Sequence, residues 1–200
     1  METTELALER VLAFGRSVKP DLPAVDAALA AVRALFAGAN TSYVVVGGVA
    51  VLHHGYVRTT RDIDLIVEPE AAAGLGPQLA ASGFERERAN RWRHRPSGVE
   101  IDLLFAGDPI PPSSKRRYPA PVAVARSSRE QDIAALPALL ELKLAAGRHQ
   151  DVADVVGLLQ GLDEQSYLGV EAAVDLELRP RLADLRQDAM EERRWRDPSA

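Results

Sequence analysis

The stretch Tyr43-Val44-Val45-Val46-Gly47-Gly48, followed by Asp62-Ile63-Asp64-Leu65-Ile66-Val67-Glu68, restricts the fold more than any other part of this 200-residue chain. Tyr43 to Val46 is a β-branched, apolar run suited to a buried strand, and the glycine pair at its end permits a sharp turn and a close backbone approach. Val49 to His54 predicts a short helix that Gly55 can end. Asp62 to Val67 alternates acid and apolar residues before an apolar finish, which predicts a second strand. Side chains two apart on a strand share a face, so Asp62 and Asp64 stand together with Cα atoms about 6.6 Å apart.

Two carboxylates on one face of a hydrophobic strand repel each other and are costly to desolvate. A divalent cation such as Mg²⁺, which takes oxygen ligands, relieves both penalties. Backbone N–H groups after Gly47 and Gly48, at the start of a helix, predict a cradle for an anion. Phosphate donors beside paired carboxylates point to a metal-bound nucleotide.

Gly47-Gly48, a spacer, then Arg58-x-Thr60-x-Asp62-Ile63-Asp64-Leu65 resembles the signature of the nucleotidyltransferase superfamily typified by polymerase beta, in the form found in the small bacterial AbiEii-type (abortive-infection toxin) group. The resemblance is strongest over Tyr43 to Glu68, and weaker echoes extend it to about Leu159. It implies an α/β (α+β) fold in which a small mixed β-sheet is flanked by helices and followed by a helical C-terminal part. It also implies an enzyme that moves a nucleotidyl group from a nucleoside triphosphate to a hydroxyl acceptor with Mg²⁺. Asp62 and Asp64 would then bind the metal that carries the triphosphate, and Gly47, Gly48, Arg58 and Lys143 would face the phosphates.

Two later stretches extend the resemblance. Val99 to Phe105 predicts a strand with Glu100 and Asp102 on one face. The resemblance makes Asp102 the third carboxylate, helping to hold a second metal and to lower the pKa of the attacking hydroxyl, with Glu100 at the rim. Glu141 to Val155 is similar to a helical motif in which a lysine, here Lys143, faces the phosphates and an Arg…Asp…Asp series orders the helical wall. The alternative is a snorkelling Lys143 beside an Arg148–Asp151 pair at i, i+3. One departure bears on nucleotide affinity, since many relatives place Ser where this chain has Val49.

Composition narrows the classes. A hydrophobic content of 46% supports a packed core, and the lack of cysteine excludes disulfides and thiolate metal sites. No basic segment precedes an apolar one at the N-terminus, and no apolar run reaches about 18 residues, so a cytoplasmic protein with no membrane association is expected. The histidines lack metal-ligand spacing, and no nucleophile elbow supports acyl transfer. A net charge of −5 argues against a general nucleic-acid coat. Arg86, Arg88, Arg91, Trp92, Arg93, His94 and Arg95 nevertheless form a local cluster with two readings: a hairpin that stacks on bases and neutralises phosphates, or a charge-protected edge strand. The first leads to the expectation of an RNA end as acceptor. Lys115-Arg116-Arg117-Tyr118 is a second basic cluster, in a proline-rich connection.

Elsewhere, residues 3–16 predict a helix broken at Lys19–Pro23, and Asp21 predicts the cap of a second helix whose packing face is Val25, Ala28, Leu29, Val32, Leu35 and Phe36. Pro69 to Ala81 predicts a helix, Pro121 to Ala125 a short strand, Ser128-x-x-Gln131 a capping box, and Leu136 onward a helix. Glu164 to Trp195, interrupted by Pro180, predicts two charged helices with two readings: packing on the domain, or holding a protein partner. The expected organisation is a nucleotidyltransferase core over 1–160, including N-terminal packing helices, and a helical appendage over 161–200. The rival class is a catalytically silent binding or antitoxin-like protein on the same fold.

Overall fold

The structure is a computed structural model that describes residues 22–38, 41–110, 115–125 and 132–196. The helix expected over 3–16, the break at Lys19, the Asp21 cap and the Ser128 capping box lie outside the described residues. In chain order come α1 (Leu22–Gly38), β1 (Tyr43–Val46), α2 (Gly47–His53), β2 (Asp62–Val67), a 3-10 turn (Pro69–Ala71) running into α3 (Ala72–Ala81), β3 (Phe84–Arg86), β4 (Arg91–His94) and β5 (Glu100–Phe105). After them come α4 (Pro121–Val124), α5 (Leu136–Ala146), α6 (His149–Gln160), α7 (Glu164–Ala173) and α8 (Arg179–Arg196).

The five strands form one mixed sheet in the order β1-β2-β5-β4-β3. The central pair β2 and β5 is parallel and the others are antiparallel. Alternation sorts each strand by face. Ile63, Leu65, Ile101, Leu103 and Trp92 point into the core, where Val32 of α1 and Leu75 and Leu79 of α3 meet them. Asp62, Asp64, Glu100, Asp102, Arg91 and Arg93 take the other face. The open edge of β1 is covered by an extended segment, in which Val45 N–H donates to Asp132 O and Ala134 N–H to Val45 O. Arg33 of α1 and the Tyr43 hydroxyl both hold the Asp132 carboxylate, at 2.6 and 3.1 Å.

Three expectations change. Pro121 to Ala125 does not form a strand: Pro121, with its fixed φ, opens the helical turn α4, and only Ala125 pairs in an isolated bridge with Ala134. The motif Glu141 to Val155 is not continuous either. Gly147 adopts φ 62° and closes α5, so the chain reverses before α6. The C-terminal break falls at 174–178 rather than at Pro180, which sits within the first turn of α8. Leu182, Leu185 and Ala189 of α8 are buried in the same core as the sheet. Arg186 of that helix donates to Leu159 O and Leu162 O at the end of α6.

Gly147 and Gly161 make a test of this reversal. A methyl group at Gly147 meets nothing closer than 3.8 Å, so Gly147→Ala is strained by the backbone alone and lowers unfolding free energy by about 1 kcal/mol. Gly161 has φ −79°, which any residue adopts, so Gly161→Ala is neutral or raises stability by about 0.5 kcal/mol. Urea unfolding of the two variants checks the contrast.

Candidate active site

The parallel register of β2 and β5 sets Asp62 beside Glu100 and Asp64 beside Asp102. Two acidic residues expected on each of two strands therefore meet as one carboxylate group. On the other side of β2, Val46 pairs with Asp64, so the chain turns into α2 directly over that carboxylate. A Cβ at Gly47 would fall 1.8 Å from Asp64 Oδ2, and one at Gly48 2.2 Å from Thr60 Oγ1. Both glycines are thus demanded by close approach to the acidic strand, and Gly47 also by φ 61°. The first turn of α2 has no side-chain cap, so its N–H groups are not claimed by a side chain. Val49 buries its side chain and faces α1 with Val25 and Leu29, away from the carboxylates.

Asp64 is the electrostatic centre. Burial first, then the charges of Asp62 and Asp102, push its carboxyl up to about 6, against the smaller opposing pull of Lys143 and Arg148. Asp62 accepts a hydrogen bond at 3.1 Å from the buried hydroxyl of Thr60, two residues upstream. Asp102 is held differently. Arg91 Nε donates to Asp102 Oδ1 at 2.7 Å and Nη2 to Oδ2 at 2.6 Å, while Nη1 reaches Glu100 Oε2 at 2.8 Å. Among the described residues, no three His, Cys, Asp or Glu side chains converge on a common point as they stand. Both oxygens of Asp102 face the Arg91 guanidinium.

Beside the carboxylates lies a cationic wall. Lys143 is buried, with Nζ 2.7 Å from Asp154 Oδ2 and 3.2 Å from Asp151 Oδ1. Arg58 closes on the other side of Asp154 at 2.6 Å, and Arg148 on Asp151 at 2.6 Å. Three cations surround two carboxylates, so the wall carries one excess positive charge. Burial would raise the Asp151 carboxyl, but the Arg148 hydrogen bond and the Lys143 charge outweigh it and hold it below its ordinary value. A cleft of about 170 Å³ joins the two groups and is lined by Gly47, Asp64, Asp102, Tyr118, Lys143 and Arg148. Burial and the Asp64 charge raise the Tyr118 hydroxyl above its usual range.

Of the expected site residues, Asp62, Asp64 and Asp102 share a face, and Gly47 and Lys143 line the cleft. Gly48 packs on Thr60, and Arg58 clamps Asp154 rather than lining the cleft. Arg148, Tyr118 and Thr60 join the site from outside the expected set. The Arg86 to Arg95 cluster divides by face. Trp92 is 6% exposed and packs over Gly76 of α3, so it is not available to stack on a base. Arg93 pairs with Glu87 and with Glu100, and Arg86 donates to the backbone of Arg88 and Ala89. Only one strand of this hairpin is an edge: β4 lies inside the sheet and β3 is at its margin.

Two outcomes follow from these contacts. Asp64 has a folded-state pKa above its unfolded value, so in metal-free protein its contribution is fully present below about pH 4 and is lost as pH rises through about 6. Asp64→Asn removes that loss. In EDTA it should exceed wild type in unfolding free energy at pH 8 by an amount on the order of 2 kcal/mol, with the difference vanishing toward pH 4. Lys143→Met, in contrast, leaves Asp151 and Asp154 buried with one partner fewer each, and costs about 3–5 kcal/mol in urea unfolding. Arg148→Ala, whose side chain is 76% exposed, costs less than about 1 kcal/mol.

Two comparisons with known proteins found a match. The family model described as aminoglycoside-2''-adenylyltransferase matches residues 28–107, which run from α1 through β5. Curated proteins yield no match. Among solved structures, the solution structure of the antibiotic-resistance factor ANT(2'')-Ia is similar at a TM-score of 0.51 and 14% identity, covering 82% of this chain and 95% of the other. Neither comparison bears on the AbiEii-type subgroup. No helix among the described residues is long and apolar enough to cross a membrane. The chain carries the nucleotidyltransferase fold, and the family-model match supports a nucleotidyltransferase enzyme.

Proposed function

We propose that the protein transfers a nucleotidyl group from a nucleoside triphosphate to a hydroxyl of its acceptor, with a divalent metal, Mg²⁺ by its preference for oxygen ligands. The observation that carries this reading is the cleft in which Gly47, Lys143 and Arg148 face Asp64, whose proton affinity is raised by burial and then by the charges of Asp62 and Asp102. A buried carboxyl crowded by others is one that a cation relieves, so the donor set fits Mg²⁺. Asp62 and Asp64 would hold it, since Mg²⁺ is commonly bound by one or two carboxylates with phosphate and water completing its shell. When bound, the ion supplies charge stabilisation at the phosphates.

The chain's own residues would do the rest by positioning. The excess charge of the Lys143–Arg148 wall holds the triphosphate tail, and the uncapped N–H groups at Gly47 and Gly48 bring the backbone to it. Asp102 stands on the acceptor side and accepts the hydroxyl proton as the oxygen bonds to the α-phosphorus. The bond from that phosphorus to the bridging oxygen breaks, and pyrophosphate leaves. Arg58 and Thr60 act beneath the site, fixing Asp154 and Asp62.

The name of the matched family favours an adenylyl group as the donor part and a small hydroxylated acceptor. An RNA end has less support, because Arg91 and Arg93 are spent on carboxylates and Trp92 is in the core. The C-terminal helices pack α8 on α6 and α7 on α5, and leave Leu168, Leu176 and Trp195 exposed as the groups for any protein partner. A toxin role and a catalytically silent, antitoxin-like role draw on no contact in this site.

Incubation with α-³²P-labelled nucleoside triphosphates, Mg²⁺ and separate pools of aminoglycosides, RNA and protein tests the reading. Label on a small hydroxylated acceptor is expected, with loss of at least about a hundredfold in Asp62→Asn and Asp64→Asn. Wild-type protein that binds Mg²⁺-nucleotide calorimetrically but labels nothing would favour the silent class. Equal nucleotide binding in wild type and both Asn variants would refute the assignment of the metal pair.

A further inference from the structure

The carboxylates of the site are compensated unequally. Those on β5 are met by guanidinium groups from β4, because Arg91 lies directly opposite Asp102 in the antiparallel register and Arg93 opposite Glu100. Arg91 fills both Asp102 oxygens and one of Glu100, and Arg93 takes the other Glu100 oxygen at 3.0 Å. Those on β2 have no such partner. Asp62 is bonded to the Thr60 hydroxyl, and among the described residues no basic side chain pairs with Asp62 or Asp64. The sheet face therefore separates into one strand neutralised from within and one left negative.

We propose that Arg91 is a built-in cation occupying the place a second metal ion would take at Asp102, so that the protein holds one divalent ion at Asp62 and Asp64 rather than two across the sheet. The inference rests on the proposed reading of Asp62 and Asp64 as the metal pair. Its physical basis is the fork: a guanidinium matches a carboxylate at two points, stays charged at every accessible pH and is weakly hydrated. The register fixes its Cα opposite Asp102, so it binds without the translational loss an ion from solution must overcome. Arg91 is then a positioning residue. It orients Asp102 while using one lone pair on each oxygen, and a carboxylate offers about four such sites, so acceptor capacity remains for an incoming hydroxyl.

Titration of the full chain with Mn²⁺ alone, following the free-ion signal by electron paramagnetic resonance, reads the stoichiometry without depending on turnover. Wild type is expected to bind about one ion per chain and R91Q about two, with the second site absent from R91Q/D102N. That double variant removes both members of the pair and leaves no orphan charge, so it remains informative where R91Q alone does not fold. Its single Mn²⁺ should bind within about threefold of the wild-type affinity, whereas loss of a true metal ligand costs about tenfold or more. Two ions on wild type, an unchanged count in R91Q, or a tenfold weaker site in R91Q/D102N would each overturn the proposal. A wild-type protein that binds one ion, with R91Q also at one, sinks this inference and leaves the metal pair standing. No Mn²⁺ on any variant removes the pair and the inference together.

Discussion

Like charges held on one sheet face are the condition to which the rest of this structure answers. The parallel pairing of β2 with β5 brings Asp62, Asp64, Glu100 and Asp102 together, and no arrangement of two such strands avoids it once their apolar residues are buried. The surroundings absorb the repulsion by different means. Arg91 and Arg93 neutralise one strand, Asp64 is partly relieved by a raised proton affinity, and Arg58, Lys143 and Arg148, one charge in excess of Asp151 and Asp154, add positive potential from beside it. What remains uncompensated is a negative spot beside a positive wall, which suits a metal-bound polyanion.

The helical wall is itself a balanced structure and not a bare set of phosphate ligands. Asp154 is fully buried and shared between Arg58 and Lys143, and Asp151 is shared between Lys143 and Arg148. A buried charge of either sign would be expensive alone, and the alternation of cations with carboxylates removes that cost. Because Arg58 comes from the loop before β2 and Lys143 from α5, the same contacts tie the acidic strand to the helices. Binding and folding share these residues, with exposed Arg148 the member least committed to the fold.

Much of this was legible in the chain. Strands β1, β2 and β5 carry clean two-residue alternation or unbroken β-branched runs, and the glycine pair announces a turn, because all three signals are local. The basic cluster was not legible in the same way. Read as composition, Arg91-Trp92-Arg93-His94 suggests cations around an exposed aromatic, but a strand sends Trp92 and His94 to the core and only the arginines to the charged face. Which carboxylates those arginines meet depends on the register of β4 with β5, and register is set by packing across the sheet rather than by neighbours in the chain. Lys143 shows the same limit. Its aspartate partners stand within eleven residues, yet they reach it only because Gly147 reverses the chain, a turn that reading Glu141 to Val155 as one motif passes over.

The pairing of Arg91 with Asp102 and of Arg93 with Glu100 also bears on how the hairpin finds its place during folding. A slip of β4 by one residue would carry both arginines into the apolar layer and bring Trp92 and His94 out beside the acids. Neither half of that exchange is tolerable, so the charged face penalises the wrong register while the apolar face rewards the right one. The residues that quiet the acids thus proofread the strand alignment, and an unstructured chain encounters this selection before any nucleotide does.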